Sequence, residues 1–427
     1  MQQGFSFLSA KSKKISALLL VLCFSLFSHA QDLEVGAQRI NNYLPFILGK
    51  NVAIIANQTS MVGNTHLVDT LLSLGVTIKV IFSPEHGFSG AADAGAKVNH
   101  EKDPKTGLPI FSLYGKTRRI PDSELKGIDV LIFDLQDVGA RFYTYISTLS
   151  LAMEACAANN VAMIVLDRPN PNGFYVDGPV NELTTGSFVA LHPIPIVHGL
   201  TVGEYAMMAM GERWLNLTNP LDIRVIKCKG YDHSTMYEVP VKPSPNLPNN
   251  QAIYLYPSLC LFEPTEVSVG RGTDKPFQII GAPHFPKNAD YTFTPKSVEG
   301  ASKPMYENEL CYGYDLEVFA EFIPSFGKII LYWIIESYNF SPNKEKFFSS
   351  ANFFDNLAGG PKLREQIIAG MSEDDIRASW EPALSEFKAK RKNYSLYPDF
   401  PEKAPENKSD IKKEEPIEQK PTEHSTD

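Results

Sequence analysis

The chain has 427 residues, 43% of them hydrophobic, and a formal net charge of −9. That length suits one large or two medium domains, and the hydrophobic fraction supports a substantial core. The acidic balance argues against nucleic acid or an anionic membrane surface as the main partner, because both need a basic footprint.

The first thirty residues read as a signal peptide. Lys11, Lys13 and Lys14 form a basic start, residues 15–27 are an apolar run too short to span a bilayer comfortably, and Ser28-His29-Ala30 supplies small residues for cleavage after Ala30. A membrane anchor is the alternative. Cleavage implies an exported protein, periplasmic or extracellular, with no membrane association afterwards. Four cysteines then remain, Cys156, Cys228, Cys260 and Cys311, with no CxxC spacing. Their apolar surroundings suit buried free thiols at least as well as disulfides.

Residues 31 to about 225 alternate strand-like and helix-like patterns, within a first, catalytic domain assigned to 31–239. The runs 51–56, 76–82, 130–135 and 162–166 are short and continuously apolar, as strands buried on both faces of a parallel sheet are. Helical patterns fall at 67–74, 143–158 and 202–215. The expected fold class is α/β: a Rossmann-like, doubly wound, mostly parallel sheet with a second, smaller α+β C-terminal domain. That second domain is assigned to 240–401 and completes the cleft. Its opening stretch, to residue 286, is rich in Pro, Gly and aromatics and predicts irregular segments with short strands. Helices are expected at 363–370 and 374–390, the latter capped by Ser372. Residues 402–427 are Lys/Glu/Pro-rich, almost without apolar side chains, and are expected to be a disordered tail.

The strand ends carry the chemistry. The first strand is followed by Asn57-Gln58-Thr59-Ser60 and the second by Ser83-Pro84-Glu85-His86-Gly87. The third leads into Asp134-Leu135-Gln136-Asp137-Val138-Gly139-Ala140-Arg141, and the fourth into Asp167-Arg168-Pro169-Asn170-Pro171-Asn172-Gly173. Parallel strands bring these loops to one edge, where ligand crevices form. Glu85 stands out: Pro84 and Gly87 make it a poor helix cap, so it reads as an acid/base group, with His86 beside it. Asp134, Asp137 and Asp167 are further acid/base or binding candidates, each with helix capping as the plain alternative. Arg141, Arg168 and Arg271 can fork onto a carboxylate. Asn57, Gln58 and Asn172 offer amides for hydroxyls, Tyr143 a stacking surface, and His198 and residues 243–248 further lining. Glu263, in a strand-like run that opens at Gly270-Arg271-Gly272, is the candidate second carboxylate; a surface salt bridge with Arg271 is the alternative.

No GxGxxG follows the first strand, and GxxxxGK[ST], GxSxG and HExxH are absent, so no cofactor is expected. A metal site from His86, Asp93, His100 and Asp134 is conceivable, but no spacing enforces it, and no metal is assigned.

Taken together, residues 57–60, 83–87, 134–139, 167–171 and 270–273 resemble the exo-β-N-acetylmuramidase family, over about 35–398. One departure is Pro264, where a glycine is expected after Phe262-Glu263. The resemblance implies a glycosidase that releases N-acetylmuramic acid from the non-reducing ends of peptidoglycan fragments, with the catalytic glutamate carried over onto Glu85. It also implies peptidoglycan fragments as the partner. Two other readings remain open at this point: a metal-dependent hydrolase or amidase acting on wall peptides, and a non-catalytic peptidoglycan-binding protein.

Overall fold

The computed structural model describes residues 33–93, 101–115, 117–182 and 186–400. The expected signal peptide and charged tail lie outside them. The first half runs β1 (Asn51–Ala56), β2 (Met61–Val62), β3 (Thr65–His66), α1 (Leu67–Ser73), β4 (Thr77–Ser83), β5 (Glu101–Lys102), β6 (Pro109–Ser112), β7 (Val130–Asp134), α2 (Tyr145–Asn159), β8 (Ala162–Leu166), α3 (Val202–Gly211) and β9 (Ile223–Ile226).

Seven of these strands form one sheet in the order β5-β6-β4-β1-β7-β8-β9. All its pairings are parallel except that of the edge strand β5. The six parallel strands follow the doubly wound order, in which the winding direction reverses at β1. The continuous apolar runs are explained by alternation between two cores. Ala53 and Ile55 of β1 point into the larger core, and Val52, Ile54 and Ala56 into a second one on the other face. A strand buried on both sides has no polar face to show.

The second half contains α4 (Asn250–Leu259), β10 (Ile279–Ala282), β11 (Tyr291–Phe293), β12 (Cys311–Asp315), α5 (Tyr332–Phe340), α6 (Ala351–Ala358), α7 (Lys362–Ile368) and α8 (Glu373–Arg391), besides shorter helical turns. The three strands form an antiparallel sheet in the order β10-β12-β11. Ser372 caps α8 as expected, its side chain accepting from the Asp375 amide at 3.2 Å.

Helix α4 corrects the expectation of irregular chain after residue 240. Its Asn249 side chain accepts from the Ala252 amide at 2.9 Å, which starts the helix, and Pro257 sits in its last turn. Pro-rich composition hid a buried helix. The strand expected to carry Glu263 is likewise absent: a 3₁₀ turn, Cys260–Phe262, extends α4 and ends at Glu263.

The C-terminal segment returns to the first half. Arg377 pairs with Asp177 at 2.6 Å, and Arg391 donates to the Gly199 carbonyl at 2.6 Å. The Tyr397 hydroxyl donates to Asp167 at 2.6 Å. The four cysteines among the described residues are buried and free.

Candidate active site

A cavity of about 470 Å³ opens at the carboxyl edge of the sheet, within the usual size range for small-molecule sites. Three strand ends supply one wall. Glu85 and His86 follow β4, Tyr114 and Arg118 follow β6, and Phe142, Tyr143 and Thr144 lie between β7 and α2. The opposite wall comes from the second half, with Tyr256, Cys260, Glu263, Arg271 and Phe277. Segments 187–189 and 244–247 contribute the rest, so part of the expected 243–248 lining is present.

Glu85 is half-buried, and its Oε2 accepts from the Thr144 hydroxyl at 2.9 Å. The Tyr114 hydroxyl bonds to the same carboxylate; burial, followed by this neighbour, pushes Tyr114 well above the usual phenol range. Tyr114 is therefore a neutral donor at ordinary pH. His86 is buried with φ 70°, and its Nδ1 lies 2.7 Å from the Ala92 carbonyl oxygen. A carbonyl only accepts, so Nδ1 carries the hydrogen. Burial holds His86 below the usual imidazole range, against the pull of Glu85, and leaves the ring neutral with Nε2 as an acceptor.

Glu263 is held differently. Arg271 donates to its Oε1 through Nε at 2.8 Å and through Nη2 at 2.5 Å, while the Cys260 thiol lies 3.6 Å from Oε2. Burial opposes the Arg271 charge, but Glu263 overcomes this and raises it above the usual guanidinium range. The Arg271 guanidinium also stacks 5.0 Å from the Phe277 ring. Rings line this part of the wall in edge-to-face contact, Phe142 on Tyr256 at 5.3 Å and Tyr256 on Phe277 at 5.0 Å.

Of the residues singled out from sequence, Glu85, His86, Tyr143, Glu263 and Arg271 line this cavity. The others stand behind it, holding the loops that form it. Asp134 and Arg168 are a buried ion pair, Nε–Oδ1 2.6 Å and Nη2–Oδ2 2.9 Å. Arg141 donates to the carbonyls of Pro179, Ile194 and Leu357 at 2.6–2.9 Å. Asp167 accepts from Thr201, Gly203 and Tyr397 and ties the start of α3 to the C-terminal segment; burial pushes it up to about 6. This is the capping alternative.

Asn57 bonds Thr59 and Tyr145, Gln58 bonds the carbonyls of Lys242 and Pro243, and Asn172 bonds those of Val138 and Ile253. His198 accepts from the Leu200 amide, and burial lowers it to about 3. Asp137 accepts from the Gly139 amide at 2.7 Å through Oδ1, and burial pushes it up to about 7. Gly139 itself has φ 75°, and a Cβ there would strike the Asn170 side chain, so the loop demands glycine.

The conceivable metal cluster is not assembled. Asp134 is committed to Arg168, Asp93 accepts from Ser302, and His100 lies outside the described residues. Among the described residues no group of three His, Cys, Asp or Glu side chains is placed to hold an ion.

Sequence reasoning missed Tyr114, Thr144, Tyr256, Phe277 and Arg118. The first two touch Glu85 from other strand ends. Arg118 lies beside Arg119 in a polar loop that reads as a solvated charge run.

A carboxylate-bearing cavity with aromatic walls, at the carboxyl edge of a doubly wound sheet, has the makings of a sugar-cleaving site, and the protein is a glycoside hydrolase. The N-terminal domain of the exo-β-N-acetylmuramidase NamZ matches residues 52–251, and the C-terminal domain matches residues 254–397. The chain belongs to this family. The peptidoglycan β-N-acetylmuramidase NamZ of Bacillus subtilis (strain 168) is 38% identical over 376 residues, spanning 83% of this chain and 89% of the relative. Two DUF1343 family proteins of Bacteroides fragilis NCTC 9343, known as crystal structures, are also similar. One is 46% identical with a TM-score of 0.79, and each covers 86% of this chain and 99% of its own. The other is 28% identical with a TM-score of 0.70.

Proposed function

We propose that this glycoside hydrolase is an exo-acting muramidase. It removes N-acetylmuramic acid from the non-reducing ends of peptidoglycan fragments, with Glu85 as general acid. The observation that carries this reading is the unequal holding of two carboxylates on opposite walls of one cavity. Glu85 is bonded by the hydroxyls of Thr144 and Tyr114, whereas Glu263 is tied to the Arg271 guanidinium. Two carboxyl groups in different settings are what glycoside hydrolysis divides between an acid and a second role.

Glu85 gives its proton to the glycosidic oxygen as the C1–O bond breaks, so the leaving sugar departs as an alcohol; a water then bonds to C1 and returns a proton to the Glu85 carboxylate, which frees N-acetylmuramic acid. Glu263, kept in place by Arg271, faces the positive charge that develops on the ring. His86 offers Nε2 to a sugar hydroxyl, and the aromatic wall takes the sugar's apolar face. A cavity of about 470 Å³ suits a terminal sugar better than a strand running through, in keeping with an exo mode. The basic and apolar opening of the chain supports export to the periplasm or beyond, and cell fractionation checks it.

The test is a chromogenic N-acetylmuramic acid glycoside with Glu85→Gln. Turnover should fall on the order of a hundredfold or more while circular dichroism stays unchanged. Near-normal activity would remove Glu85 from the role. Mass spectrometry of digested wall fragments should find free N-acetylmuramic acid as the first product; internal cleavage would refute the exo mode.

A further inference from the structure

We propose that Arg118 is the residue that reads the substrate's negative charge, by forking onto the lactyl carboxylate that distinguishes N-acetylmuramic acid from N-acetylglucosamine. This rests on the muramidase reading and names the group that would give it specificity.

The structure removes the other arginines one by one. Arg168 is clamped by Asp134, and its Nη2 also serves the Met61 carbonyl at 3.0 Å. Arg141 is buried on three carbonyls behind the cavity. Arg271 does line the cavity, but Nε and Nη2, the edge best suited to a bidentate contact, are both spent on Glu263.

Arg118 differs in each respect. It lines the cavity and is exposed, and among the described residues it forms no ion pair. It lies near enough to the acid end of the cavity for its charge to act on Tyr114, the partner of Glu85. Its guanidinium rests 4.5 Å from the centre of the Phe188 ring. Phe188 is itself anchored, since its carbonyl accepts from the Ser147 hydroxyl of α2 at 2.7 Å. Stacking on a fixed ring holds the plane of the fork and leaves its edges to donate, so less freedom is lost when an anion binds.

Charge points the same way: Glu263 and Arg271 compensate one another and His86 is neutral, while the Arg118 guanidinium is a cationic group of the described wall not joined to a carboxylate.

The experiment uses the exported chain with Arg118→Ala and Arg118→Lys. Two chromogenic substrates are compared: the N-acetylmuramic acid glycoside and the same glycoside with its lactyl carboxylate converted to the carboxamide. The parent should prefer the carboxylate. In Arg118→Ala, kcat/KM for the carboxylate substrate should drop roughly 10- to 100-fold, mainly through KM, and the preference should collapse. Arg118→Lys should recover only part of it, because an ammonium cannot fork. If Arg118→Ala keeps the parental preference while Arg271→Lys loses it, the inference is overturned and the muramidase reading stands. If the folded parent turns over neither substrate, both fall together.

Discussion

Replacing Asp134 with Asn separates a structural from a substrate-binding role for the residues just behind the cavity. The Arg168 and Asp134 side chains are 3% and 0% exposed, and two short hydrogen bonds join them. Asn keeps the shape and one acceptor but turns an NH₂ group toward a guanidinium N–H. It also leaves a buried positive charge without a counter-charge, faced by the Met61 carbonyl and the one remaining side-chain oxygen. Breaking a buried pair from one side destabilises by about 3–5 kcal/mol. With an unfolding entropy near 0.8 kcal/mol per kelvin for a chain of this size, the melting temperature should fall by about 4–6 °C. The double variant Asp134→Leu/Arg168→Met removes both charges and should melt above Asp134→Asn. The assays are calorimetry and steady-state kinetics on the folded fraction, where KM should hold. A variant that melts within a degree of the parent but shows a raised KM would refute the reasoning, and would return Asp134 and Arg168 to the substrate-binding role their loops suggested.

Asp137 should make stability depend on pH. Burial raises it from 3.8 to about 7 in the fold. The stability it contributes is therefore complete below about pH 4 and is lost as pH rises through about 7. Asp137→Asn cannot ionise, so its melting temperature relative to the parent should improve steadily from pH 4 to 8; a flat difference would contradict the burial argument. Tyr114→Phe removes one neutral donor from Glu85 without altering the shape of the wall. A net loss of ~1 kcal/mol corresponds to roughly fivefold in kcat, with KM little changed, and an unaltered kcat would show that this hydroxyl does not support the acid.

The sheet was readable because its strands are buried twice over. Val52 to Ala56 alternate between two cores, so the chain shows an unbroken apolar run with polar, glycine-containing loops after it. The Glu85-His86 pair was readable for a related reason, since one short turn carries both groups. Which neighbouring polar residues face a ligand was not readable. Asp134, Asp167 and Arg141 sit at the same sheet edge as Glu85, yet their partners lie 34 to 230 positions away along the chain. No local pattern announces an Arg141 bond to the Leu357 carbonyl. On the opposite wall Glu263 and Arg271 were readable, but Tyr256 was hidden by composition, since it is delivered by a helix in a stretch whose prolines suggested irregular chain.

The backbone at residues 86 and 87 explains how two neighbours serve one cavity. In an extended chain, successive side chains point to opposite faces. If β4 simply continued past Ser83, Glu85 and His86 would diverge, one toward the ligand and one away. Instead His86 and Gly87 take φ values of 70° and 75° in succession. For histidine that region carries a conformational penalty of order 1–2 kcal/mol. Two bonds to one residue offset it: the Ala92 amide donates to the His86 carbonyl at 3.2 Å, and His86 Nδ1 donates to the Ala92 carbonyl at 2.7 Å. The second bond also selects the tautomer, so the same contact that stabilises the turn fixes Nε2 as the acceptor. Glycine at 87 lets the chain stay left-handed for a second residue at little cost, which reverses it after the acid. The Ser-Pro-Glu-His-Gly stretch is thus a device of local sterics, turning an alternating strand end into a pair of groups that share a wall.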